Sequence, residues 1–198
     1  MWLTSGTTGM VRLFTAIEID DDARFAIARE QARIASRLGE DKRGLTFVRT
    51  QNLHLTLVFI GEVGQDQATA ITAVMGVTLP QLPFRATVGE LGVFPVRGAP
   101  RVLWLGLIEG TQQMIELHHR VAVRLGVTQD CTSATAFHPH LTLARWRGRR
   151  PPAHKVLAMG WRRRPVTIDV GAVTLFKSHL SAAGPSYTSL AQARLQCP

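Results

Sequence analysis

No apolar run in this chain approaches the ~18 consecutive residues of a bilayer-spanning helix, so no membrane partner is expected. Met1 to Met10 have neither a basic opening nor a long apolar stretch, which argues against a secretory signal. Cysteine is scarce. Cys131 and Cys197 stand far apart with no partner pattern, which fits free thiols in a reducing, cytoplasmic compartment. His-Glu-x-x-His and Cys-x-x-Cys are both missing, so the usual metal-ligand spacings are absent and no metal or other cofactor is expected. Acidic residues also run out: after residue 130, Asp169 is the single carboxylate side chain.

What is present suffices to fold. The 198 residues are 45% hydrophobic and 19% charged, the balance of one globular domain. The net charge of +9 is local. Residues 1–130 hold 13 Lys and Arg against 13 Asp and Glu, whereas residues 131–198 hold 10 against 1. Arg145, Arg147, Arg149, Arg150, Lys155, Arg162, Arg163 and Arg164 form the densest part. Such a block fits an anionic partner, phosphate-rich nucleic acid first, or else a solvated basic face.

Periodicity divides the chain into two similar runs. Val11 to Ile19 reads as a strand. Asp20 to Asp22 then cap a helix running to about Leu38, closed by Gly39. A strand over Leu53 to Ile60, a helix over Gln65 to Val77 and a strand over Phe84 to Phe94 follow. The pattern recurs with a strand at Arg101 to Leu107, a helix at Thr111 to Leu125 closed by Gly126, and a strand at His140 to Ala144. A short helix near Ala153 to Met159 and strands at Val166 to Phe176 and Tyr187 to Leu195 complete it. His-Leu-Thr-Leu occurs twice, at 54–57 and 140–143. Residues 83–94 and 165–176 share Pro, Val, Gly and Phe at equal offsets. Two copies with so long a period indicate two β-α-β-α-β halves about a pseudo-two-fold, not a solenoid.

Residues i and i+2 of a strand share a face. His54 and Thr56 therefore point together, as do His140 and Thr142, while the intervening leucines point to the core. If the halves meet by pseudo-symmetry, two imidazoles and two hydroxyls surround one small ligand. Paired imidazoles suit acid–base work near neutral pH, and threonine hydroxyls suit phosphate oxygens. His138 lies two residues before His140 and competes with it for the second role. A lone His-x-Thr is usually surface or packing; two in matching positions favour chemistry.

These residues carry a family resemblance. NLHLTLVFIGEV (52–63) and FHPHLTLARWRG (137–148) resemble the two signature motifs of the 2H phosphoesterases. Within them the chain resembles bacterial and archaeal RNA 2′,3′-cyclic phosphodiesterases, also called RNA 2′,5′-ligases. The segments at 12–19, 91–107 and 176–187 extend the resemblance from about Arg12 over nearly the whole chain. Phe47 stands where the family often has tryptophan.

The resemblance implies an α+β class: a bilobal, pseudo-two-fold duplicated fold with antiparallel sheets flanking a central cleft and helices outside. A single domain over 1–198 would have approximate lobes 11–100 and 101–196, with strands exchanged between them and 1–10 as an extra leader. It implies hydrolysis of RNA 2′,3′-cyclic phosphate ends, those of tRNA fragments among them, to 2′-phosphomonoesters, and the reverse 2′,5′ ligation. His54 would be general acid and His140 general base, with Thr56 and Thr142 on the phosphate. Phe14, Arg145, Tyr187 and His138 are weaker substrate contacts. On an unbroken strand Arg145 would face away from Thr142. A monomer is expected. The alternatives are a cyclic phosphodiesterase acting on a small cyclic nucleotide or ADP-ribose cyclic phosphate, and a non-catalytic RNA-binding module. Trp146, among arginines, could stack on a base; Trp104 reads as packing.

Overall fold

The computed structural model describes residues 9–127, 137–147, 151, 156–157, 164–181 and 184–197. Most of the basic block, Cys131 and most of the helix expected near 153–159 lie outside the described residues, as do residues 1–8 of the leader.

Alternation and capping act where the sequence pattern puts them. Val11–Glu18 forms β1 and Asp21–Leu38 forms α1. The Asp20 carboxylate accepts the Ala23 N–H at 2.8 Å, and Gly39 ends α1 with φ 51°. Short β2 (Leu45–Phe47) precedes β3 (His54–Val63), α2 (Gln65–Met75), two-residue β4 (Leu79–Pro80) and β5 (Phe84–Phe94). The second run holds β6 (Val102–Glu109), α3 (Thr111–Arg124) and β7 (His140–Trp146). β8 (Val166–Val170), β9 (Ala172–Ser181) and β10 (Gly184–Gln196) close the chain. The expected single strand over 166–176 is thus two strands parted at Gly171, because each half pairs with a different neighbour. β2 and β4 carry no sequence signal long enough to register.

The strands run in the order β4-β10-β9-β1-β3-β7-β6-β5-β8, with β2 on β7. All pairings are antiparallel except β4–β10. Sheet order departs from chain order. β5 joins β6 and β8, whereas β9 joins β1 and carries β10 on its other edge. The pseudo-two-fold is visible in the register. Leu55 pairs with Leu141, the same position of each His-Leu-Thr-Leu. Phe84↔Val170, Ala86↔Ile168 and Val88↔Val166 form a ladder that maps onto itself when 83–94 is exchanged for 165–176. Leu55, Leu57, Leu141 and Leu143 join one core with Ile27, Ile34, Met75, Leu117 and Val121 from the helices. The opposite sheet face is left to the histidines. No helix among the described residues is long and apolar enough to cross a membrane.

Candidate active site

The antiparallel Leu55–Leu141 pair is the seam between the halves. It sets His54 opposite Thr142 and Thr56 opposite His140, all on the face away from the leucines. Each is half-buried. His54 Nδ1 lies 2.7 Å from the Asn52 carbonyl, and His140 Nδ1 lies 2.8 Å from the His138 carbonyl. A carbonyl can only accept, so in both rings Nδ1 carries the proton and Nε2 is left for chemistry. Burial lowers the pKa of both imidazoles below the ordinary histidine value. The backbone hydrogen bonds oppose this shift, and the positive charge of Arg145 adds to it at both rings. His140 also lowers His54, and the neighbouring His138 charge lowers His140.

Both motif strands carry a β-bulge at the same residue. In β3, Ala16 pairs with Thr56 and Thr15 with Val58, leaving Leu57 over. In β7, Trp104 pairs with Thr142 and Leu103 with Ala144, leaving Leu143 over. After each bulge the alternation reverses. Ala144 and Trp146 turn into the core and Arg145 comes to the histidine face. Arg145 would face away from Thr142 on an unbroken strand, and the bulge is the irregularity that lets it reach this face. Its charge acts on His54, His140 and Tyr187 together. The matching position in β3 is Phe59, half-exposed and paired with Phe14. The Arg12 guanidinium lies 4.8 Å from the Phe59 ring centroid.

Aromatic rings wall each histidine. Phe14 is 5.1 Å and Tyr187 5.2 Å from the His54 ring, and Phe176 stacks on Phe14 at 5.4 Å. Phe14 is 4% exposed, so it serves the core and the cleft at once. Burial raises the Tyr187 pKa, which keeps its phenol protonated. Around His140 stand Phe94 at 5.1 Å and Trp104 at 6.0 Å. His138 is exposed, 4.8 Å from Trp104, and gives His140 its carbonyl. Tyr187 reaches His54 from β10, and the Asn52 amide ties the start of that strand by donating to the Pro185 carbonyl at 2.8 Å.

Sequence reasoning missed Phe94, Trp104, Phe176 and Asn52. Their signals were the shared Phe of the repeat (94 and 176) and the small residues Gly92 and Gly106, which leave room for the Trp104 ring. Trp146 is 4% exposed and its Nε1–H points to the Asp41 carbonyl at 3.4 Å, so it packs and does not stack on a ligand. Among the described residues no group of three His, Cys, Asp or Glu gathers to hold a metal.

Two imidazoles, two hydroxyls and one guanidinium thus share one face, a donor set that can take an anion such as a phosphate group. The 2′-5′ RNA ligase superfamily matches residues 22–182 of this chain. The chain belongs to that superfamily. A member named RNA 2′,3′-cyclic phosphodiesterase from Methanothermobacter thermautotrophicus is 31% identical over 93% of this chain and 99% of the relative. One of the same name from Thermus thermophilus is 32% identical over 91% of this chain and 88% of the relative. Among solved structures of the superfamily, E. coli LigT in apo form superposes with TM-score 0.70 at 27% identity. It covers 94% of this chain and 98% of LigT. LigT complexed with 3′-AMP gives 0.71 at 25% identity with the same coverage.

Proposed function

We propose that this protein hydrolyses RNA 2′,3′-cyclic phosphate ends to 2′-phosphomonoesters by paired-histidine acid–base catalysis. The observation that carries the reading is the pair of identical His-Leu-Thr-Leu strands meeting at Leu55 and Leu141, each histidine with Nδ1 tied to a carbonyl two residues back. The relatives named RNA 2′,3′-cyclic phosphodiesterase supply the substrate class. His140 Nε2 takes a proton from water as the water oxygen bonds to phosphorus. The P–O3′ bond breaks, and His54 Nε2, entering protonated, gives its proton to the departing 3′ oxygen. The product keeps the phosphate on O2′. Run backwards, with a 5′-hydroxyl in place of water, the same transfers form a 2′,5′ linkage. Burial disfavours the protonated His54 ring in the free protein, and a bound anionic substrate favours it. Thr56 and Thr142 donate to the non-bridging oxygens, and Arg145 carries the developing charge. Phe14 and Tyr187 offer an apolar wall for the nucleoside. The excess basic charge of residues 131–198, 10 Lys and Arg against 1 Asp, suits an RNA backbone by sequence, and the protein acts as a monomer in the cytoplasm.

The test is product identity. An oligonucleotide ending in a 2′,3′-cyclic phosphate is incubated with the protein with and without EDTA, and the phosphate position is read by phosphorus NMR. A 2′-monophosphate in both arms is expected. A 3′-monophosphate, no product, or loss with EDTA that metal restores would overturn the reading.

A further inference from the structure

Arg145 reaches the cleft face through the β-bulge at Leu143, and a side chain distant in sequence, Gln31, bonds the carbonyl of that residue. Along β7, His140 and Thr142 face the cleft while Leu141 and Leu143 are fully buried. Without an extra residue at Leu143, Ala144 would take the next cleft position and the Arg145 guanidinium would turn into the core. Burying an unpaired guanidinium is costly, and a one-residue slip would also bring Trp146 out. The bulge therefore has to be kept, although its residue has no partner on β6.

The Leu143 carbonyl accepts from two other donors. The Val48 N–H, just past β2, reaches it at 2.8 Å. The Gln31 side-chain amide reaches it at 2.9 Å from α1, 112 residues away in sequence. The same Gln31 nitrogen donates to the Val48 carbonyl at 2.9 Å. Both partners are carbonyls, so only the amide NH2 can face them and the orientation of Gln31 is fixed. Gln31 is 8% exposed and lies on the buried stripe of α1 with Ile27, Ile34 and Leu38. An apolar residue would suit that stripe; the amide answers the two carbonyls. The other half manages its bulge differently. There the Thr15 hydroxyl accepts the Val58 N–H at 3.1 Å, and the residue brought to the cleft is Phe59.

We propose that Gln31 is a positioning residue for the phosphate site: its amide locks the Leu143 bulge, and the bulge holds Arg145 on the cleft face. This rests on reading Arg145 as the phosphate-holding cation. The test compares wild type, Gln31→Met, Arg145→Ala and the double variant. NMR titration gives the pKa of His54 and His140, and calorimetry gives the Kd of inorganic phosphate. Arg145→Ala should raise both histidine pKa values, because a neighbouring cation is gone, and weaken phosphate. Gln31→Met should shift all three in the same direction, with phosphate weakened about tenfold or more, as for a group displaced from its working position. In the Arg145→Ala background it should add nothing to either readout. A merely structural role would instead lower Tm while leaving the titrations unmoved, or would add equally in both backgrounds; either result overturns the proposal. If Gln31→Met does not fold, Gln31→Asn, with the same amide one methylene short of the carbonyls, replaces it. Neither readout requires turnover, so failure to hydrolyse RNA would sink the proposed reaction and leave this inference to be decided separately.

Discussion

The two halves carry the same His-Leu-Thr-Leu unit and surround it differently. Each has a histidine tied at Nδ1 to the carbonyl two residues back, a threonine two residues on, and a bulge at the following leucine. Beside Thr56, however, β1 presents Ala16, while beside Thr142, β6 presents Trp104. Gly92 makes room for that indole: a Cβ there would stand 2.2 Å from the ring. The residue delivered by the bulge is Phe59 in one half and Arg145 in the other. The two histidine units are symmetric, and the surrounding side chains make the cleft asymmetric, with a cation at one end and an aromatic surface at the other.

The largest effect should come from the symmetric part. His54→Ala and His140→Ala are each expected to cut hydrolysis at least ~10²-fold, measured as initial rates on a protein whose circular dichroism is unchanged. Near-normal turnover in either would leave one half without a catalytic role. Next come the two bulge-delivered residues. Arg145→Ala should lower kcat/KM for 2′,3′-cyclic AMP about 10–100-fold, the scale of a lost charge-assisted hydrogen bond. Phe59→Ala should leave it within about twofold, as an exposed substitution does. Equal losses would erase the comparison.

The pH profile sharpens it. In the free protein both imidazoles titrate below the ordinary histidine value, chiefly through burial and further through Arg145. Both limbs of the kcat/KM profile should therefore lie acid of that value. Arg145→Ala removes a cation that disfavours the protonated rings, so both limbs should move to higher pH. A shift to lower pH would contradict the electrostatic account. Gly92→Ala should displace Trp104 and cost about 1–3 kcal/mol of stability, read in a denaturant melt. Thr15→Val should strand the buried Val58 N–H for a similar ~1–3 kcal/mol, with phosphate affinity unchanged because its bulge delivers no cation.

Local rules made much of this legible in the sequence. The Asp20 cap, the closing glycines at 39 and 126, and the alternation through both motifs describe backbone that answers to its own side chains. His54, Thr56, His140 and Thr142 came from that alternation together with the duplication. Arg145 did not, because nothing in Leu-Thr-Leu-Ala-Arg marks the second leucine as extra. The bulge is defined by partners on β6, β2 and α1. Gln31 was illegible for the same reason, its carbonyls lying 17 and 112 residues away. Residues 166–176 look like one strand in sequence because Gly171 resembles any strand glycine until β5 and β1 claim opposite sides of it.

The central claim is that two histidines from two halves act as one unit on one phosphate. The direct measurement is the cycle of wild type, His54→Ala, His140→Ala and the double variant, read as kcat for a cyclic-phosphate-ended oligonucleotide. Residues that act as a unit are grossly non-additive, so the double variant should be scarcely slower than either single one. Losses that multiply in the double variant, or a single variant that keeps its rate, would contradict the account.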